Sequence, residues 1–254
     1  MAQNNNHKRN NRGRLSSSLR KAFEKPGCSL CRLQREMEER WLWQVFYELT
    51  RDREIRDEFD RSSGLCTRHS RLAFAVIEER ELIGGHNLAR IYGTVIQRLS
   101  DRALNFKRSG PLDISQSLLP RLLRGTKFDN SDEVDDCPLC RRIYRISGDH
   151  ARTFLDCIES EEELQRYRES DGLCDPHFGK VLQVVEDDSQ RKIIVKDHSR
   201  RLELLKANLE SLMKKRRYDS DSEISPEESQ SWREALWRCS GMVFDTTLIN
   251  RQPA

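Results

Sequence analysis

No stretch of this 254-residue chain stays apolar for long: the longest run, Leu72 to Ile77, falls far short of the roughly 20 residues a membrane helix needs. The first 27 residues hold no apolar core of the kind an export signal requires. Glycine (12) and proline (7) are too scarce for a collagen-like or Pro-rich chain. Charge of one sign is missing too. The 45 Lys and Arg nearly balance 42 Asp and Glu, and a net +3 does not mark the whole chain as a nucleic-acid or membrane binder. Hydrophobic residues make up 36% against 34% charged, with a mean hydropathy of -0.81, which leaves little apolar material for two independent cores. Something besides burial is expected to hold the fold, and the expected location is the cytoplasm.

Cysteine, by contrast, is plentiful, and six of the eight fall into an internal repeat. Residues 28–31 read Cys-Ser-Leu-Cys and residues 64–69 read Gly-Leu-Cys-Thr-Arg-His. Residues 137–140 read Cys-Pro-Leu-Cys and residues 172–177 read Gly-Leu-Cys-Asp-Pro-His. Cys28, Cys31, Cys66 and His69 thus correspond to Cys137, Cys140, Cys174 and His177, at an offset of 109 for the first motif and 108 for the second. The segments that follow, Arg71 to Arg108 and Lys180 to Arg217, are equally long.

Chemistry narrows what these cysteines do. Disulfides belong to oxidising compartments, which the missing export signal argues against. Haem attachment needs His directly after the second cysteine, where Arg32 and Arg141 stand. A thioredoxin-like pair needs a neighbouring strand, and none is expected. Zinc remains. A C-x-x-C turn brings two thiolates together, and C-x-x-H opening a helix places two ligands one turn apart on one face. Within each copy the two motifs supply four ligands, so two zinc ions per chain are expected. Closed sets of three cysteines and one histidine leave no position for substrate and are structural. Cys157 lies in an apolar stretch with Phe154, Leu155 and Ile158 and is expected to be a buried thiol, whereas Cys239 lies outside the pattern.

Apolar periodicity predicts an all-α chain of two tandem helical zinc-binding repeats and a short C-terminal helix. Leu30, Leu33, Met37, Trp41, Val45 and Leu49 define one face of a helix of about 20 residues. A charged helix over 51–61, one over 66–82 and one containing Leu88, Tyr92, Val95 and Leu99 follow. The second copy repeats the plan, with Val195, Leu202, Leu205, Leu209 and Leu212 marking a long final helix. The expected divisions are a basic, largely disordered tail (1–27), the first repeat (28–108), a linker (109–136), the second repeat (137–217), an acidic linker (218–230) and a C-terminal helix and tail (231–254). The tail carries seven basic residues against Glu24 alone. Trp232 and Trp237 lie on the C-terminal helix, which is expected to dock on its own body rather than in a partner's groove.

These residues resemble a family of bacterial proteins of unknown function that carry two C-x-x-C to G-L-C-x-x-H units in a helical chain and a short Trp-containing helix near the end. The resemblance covers roughly residues 26–241 and implies metal ligation by the eight repeat residues, with Trp232 in the ending motif. It implies no activity. Nucleotide-binding glycine motifs, H-E-x-x-H, G-x-S-x-G and the zinc-deaminase pattern are all missing. The expected role is a non-catalytic zinc-stabilised helical adaptor or binding protein. The alternative is a nucleic-acid or ribosome-associated factor using the basic tail, and the third is an enzyme with an unrecognised site. Partners are accordingly a protein or RNA/DNA, with no membrane.

Overall fold

The computed structural model describes residues 15–79, 85–108, 137–216 and 223–242. Among them there are ten helices and no strand, so the chain is all-α. The helices are α1 (15–23), α2 (Ser29–Tyr47), α3 (Arg53–Ser62), α4 (Thr67–Glu79), α5 (Gly85–Arg108), α6 (Pro138–Cys157), α7 (Glu161–Glu169), α8 (Asp175–Val184), α9 (Asp188–Lys215) and α10 (Pro226–Ser240). The extreme tail, the 109–136 linker, most of the break before Gly85, residues 217–222 and the end beyond Met242 lie outside the described residues.

Local chemistry sets many of the boundaries. Asp52, Ser160, Asp187 and Ser225 each cap a helix by accepting a backbone N–H in its first turn. At α10 the cap is reciprocal, because Glu228 also accepts the Ser225 N–H. Ser63, in the left-handed region at φ 58°, ends α3 where the sequence places a stop.

Compactness divides the chain differently from the sequence copies 28–108 and 137–217. Among the described residues, one unit comprises 15–36, 145–216 and 223–242, the other 37–79, 85–108 and 137–144. In the first unit, Leu19, Phe23, Leu30 and Leu33 share a core with Phe154, Ile158, Tyr167, Leu173, Val181 and Ile194. In the second, Trp41, Leu42, Val45, Phe46, Phe59, Leu72, Val76, Ile91 and Val95 share one with Leu139 and Ile143. Helix α2 therefore gives its first two turns to one core and the rest to the other, and α6 does the same in reverse. Phe59 anchors the second core, with Trp41 stacked at 6.2 Å and Tyr92 edge-on at 5.9 Å.

The face of α9 differs from the expected stripe. Val195 and Leu202 are 37% and 39% exposed, while Ile194, His198 and Leu205 are buried. Asp197 is buried and Arg201 half-buried on the inward side, so polar residues occupy positions that hydrophobicity assigns to solvent.

Candidate metal centres

All four repeat motifs sit at helix N-termini. Cys28, Cys66, Cys137 and Cys174 each accept, through the backbone carbonyl, the first N–H of the helix that follows, from Arg32, Ser70, Arg141 and Phe178 at 2.8–3.2 Å. Each is thus the cap residue, and Cys31, His69, Cys140 or His177 lies one turn further on, on the same face. There the free N–H groups and the positive end of the helix dipole favour thiolate over thiol.

The eight residues fall into two groups of four, and the groups cross between the copies. Cys28 and Cys31 stand with Cys174 and His177, while Cys137 and Cys140 stand with Cys66 and His69. The within-copy sets expected from the sequence are therefore replaced by exchanged ones. In each group the four ligand atoms lie within 4.8 Å of one another. In the first, Cys31 Sγ is 3.6 Å from Cys174 Sγ, and His177 Nδ1 is 3.6, 3.3 and 3.2 Å from the sulfurs of Cys28, Cys31 and Cys174. In the second, Cys66 Sγ is 3.7 Å from Cys140 Sγ, and His69 Nδ1 is 3.3, 3.4 and 3.3 Å from the sulfurs of Cys66, Cys137 and Cys140. These sulfurs are too far apart for disulfides, whose length is about 2.05 Å. They match a tetrahedron with bonds of about 2.3 Å to sulfur and about 2.0 Å to nitrogen, whose edges are about 3.8 Å and about 3.5 Å. The donor set therefore fits a zinc-like ion.

Electrostatics leads to the same chemistry. Three thiols crowded together cannot all ionise on their own. Cys31 is pushed far up by Cys174 and then Cys28, and Cys140 far up by Cys137 and then Cys66. A divalent cation removes this conflict, because it is the counter-charge that lets all three be thiolates.

Three supporting arrangements escape motif reading. Gly64 and Gly172, the glycines of the G-L-C motifs, have φ of 97° and 79°. A side-chain carbon on Gly64 would stand 2.8 Å from Tyr92 Cε1, and one on Gly172 2.8 Å from Arg201 Nε. These packed side chains hold the two ligand loops. Tyr92 Oη accepts the Leu65 N–H at 3.1 Å, and Arg201 donates to the carbonyls of Ser170, Arg168 and Tyr167. Glu38 is fully buried, takes two bonds from Arg68 at 2.8 and 3.0 Å, and has Oε1 3.7 Å from His69 Nε2. Burial opposes charge on His69, but Cys137, Cys66 and Glu38 outweigh it and raise the imidazole to about 10. A carboxylate behind a ligand histidine is the arrangement that orients the ring. The third is Arg238, 1% exposed, which donates to the carbonyls of Leu173 and Asp171 just ahead of Cys174. The glycines were visible in the motifs, but their partners Tyr92 and Arg201, 28 and 29 positions away, carry no local signal.

Of the residues outside the repeat, Cys157 is buried at 7% exposure and Cys239 is exposed. Trp237 packs against the first core while Trp232 is 49% exposed.

A family profile described as a family of unknown function (DUF6062) matches residues 16–223. The chain belongs to that family. The matched span contains all four motifs and stops ahead of α10, so Trp232 lies beyond it. No curated protein and no solved structure matches the chain. Among the described residues no helix is long and apolar enough to cross a membrane.

Proposed function

We propose that this is a zinc protein holding two ions per chain, ligated by Cys28, Cys31, Cys174 and His177 and by Cys66, His69, Cys137 and Cys140, and that it acts as a non-catalytic helical binding protein. The observation that carries the reading is the closure of each group. Three sulfurs and one imidazole nitrogen within 4.8 Å supply a full tetrahedron. No coordination position is left for water or substrate, so the ion's contribution is to join chain segments rather than to polarise a reactant. The chain's own residues explain how it would be retained. Helix N-termini stabilise the thiolates, and Glu38 and Arg68 steady His69.

Metal analysis of the reduced protein, expected to give two zinc ions per chain, tests the ligand assignment. Iron is the competing occupant of sulfur-rich sites, and visible absorption reveals it. The binding role is tested by what co-purifies with the native protein, expected to be a protein partner. The basic tail supports a second reading, in which RNA or DNA is the partner. A salt titration separates the two, because each phosphate contact to a single strand steepens the log-log slope by about 0.7.

A further inference from the structure

The two ligand groups differ in what covers them. Helix α10 ends beside the first: Gly241, at φ 85°, turns the chain so that the Met242 N–H donates to Cys31 Sγ at 3.4 Å. A side-chain carbon at Gly241 would lie 3.6 Å from Cys31 Sγ and 3.9 Å from Cys174 Sγ. The Met242 side chain fills the space over Gly27, directly before Cys28. Arg238 fastens this end. Its guanidinium donates to Asp171 O and Leu173 O at 3.0 and 3.2 Å, is paired with Glu234, and lies 4.5 Å over the Trp237 ring. Asp171 in turn accepts the Gly27 N–H at 2.6 Å, so one buried cation ties α10 to the loop before Cys174 and, through Asp171, to the turn before Cys28. The start of α10 is pinned to α9, where Lys215 and Ser211 both bond Glu228.

Cys28 and Cys174 are accordingly fully buried and Cys31 is 8% exposed. In the second group, Cys66 and Cys140 are only half-buried, and among the described residues no segment outside its own ligand motifs donates a backbone N–H to its sulfurs.

We infer that α10 with Gly241 and Met242 is a lid on the first metal centre, so that the two centres differ in kind: the first is sealed, and the second, through Cys66 and Cys140, is the one that exchanges its metal. The inference rests on the metal reading above. An incoming chelator displaces thiolates one at a time and must reach them, so access to sulfur sets the rate. The Met242 N–H withdraws charge from Cys31 and closes that approach. Arg238 and Met242 are positioning residues and touch no metal themselves.

The test uses the zinc-loaded full chain, with zinc content measured first, mixed with excess 4-(2-pyridylazo)resorcinol. Release is expected in two phases of one zinc each, at least about tenfold apart in rate by the arithmetic of a modest barrier difference. Arg238→Ala and, separately, Met242→Pro, which removes both the N–H donor to Cys31 and the side chain over Gly27 while lying beyond the end of α10, are expected to quicken the slow phase and leave the fast one alone. On the unsubstituted chain, timed N-ethylmaleimide labelling with peptide mapping is expected to find Cys66 and Cys140 modified ahead of Cys28, Cys31 and Cys174, with exposed Cys239 as the free-thiol reference. Two zinc ions leaving in a single phase, a slow phase unmoved in both variants, or earlier labelling of Cys28 and Cys174 would overturn the lid and leave the metal reading standing. Fewer than two zinc ions in the loaded protein would overturn both.

Discussion

Cys31 and Cys174 are 143 positions apart in the chain, yet their sulfurs are 3.6 Å apart, while Cys31 and Cys66, neighbours in the same sequence copy, belong to different ligand groups. Each C-x-x-C motif thus serves the opposite copy's C-x-x-H motif. Only the later turns of the C-x-x-C helices return to their own copy for hydrophobic packing: Trp41 and Phe46 of α2 meet Phe59, and Phe154 of α6 meets Tyr167 at 5.1 Å. Metal ligation thus crosses the copies together with the first turns of these helices, where Leu30 and Leu33 join the core of Phe154 and Tyr167, and Leu139 and Ile143 that of Trp41 and Phe59. Loss of one metal is expected to loosen parts of both copies rather than to unfold one.

The motif glycines give a direct stability test. Gly64→Ala and Gly172→Ala each place a side chain at positive φ and against Tyr92 or Arg201, and each is expected to cost about 1–3 kcal/mol. Gly93→Ala and Gly179→Ala, inside α5 and α8 with nothing within 4 Å of the added carbon, are expected to stabilise by up to about 1 kcal/mol. Urea denaturation of the four variants checks the contrast, and equal effects in both pairs would count against it.

Glu38 makes the second centre sensitive to a residue that is no ligand. Glu38→Gln keeps the shape but weakens the hold on His69 and leaves Arg68 with a poorer partner. One of the two zinc affinities is expected to fall about 10–100-fold, with the other unchanged. A competitive chelator titration resolves the two, and the position equivalent to Glu38 in the second copy is Ser147, so no matching effect is expected at the first centre.

His150 sets a pH dependence whose sign follows from its burial. Burial holds its imidazole down at about 4, below the ordinary value of about 6.5. The unfolded chain takes up this proton as pH falls through about 6.5 and the native one only near 4, so acidification between these values favours unfolding by up to about 1.4 kcal/mol per pH unit. His150→Asn is expected to flatten the stability profile by that slope over this window. Paired denaturation curves of the variant and the parent, both zinc-loaded, measure it, and parallel profiles would show that His150 is not held neutral.

The helical class was legible because Leu30, Leu33, Trp41 and Val45 recur at helical spacing, and α2 spans 19 residues where about 20 were expected. Docking of the C-terminal helix was also legible, in that Trp237 packs on the core; the buried cation beside it, Arg238, was not. The eight candidate ligands stood out because a cap residue and the one three positions later share a face, a local property that spacing records. Their partnership did not stand out. Which C-x-x-C meets which C-x-x-H depends on how segments 68 to 149 positions apart fold back, and the four motifs are chemically interchangeable. The same reason hid the division of α2 between two cores, since Leu33 and Trp41 lie on one continuous apolar stripe.

Zinc content of two double variants tests the crossed ligation most directly. Cys28→Ala with Cys174→Ala removes two ligands from one crossed group and is expected to leave one zinc per chain, whereas Cys28→Ala with Cys66→Ala removes one ligand from each group and is expected to leave none firmly held. The reverse result, one zinc retained with Cys28 and Cys66 replaced and none with Cys28 and Cys174 replaced, would place each metal within a single sequence copy and contradict the account.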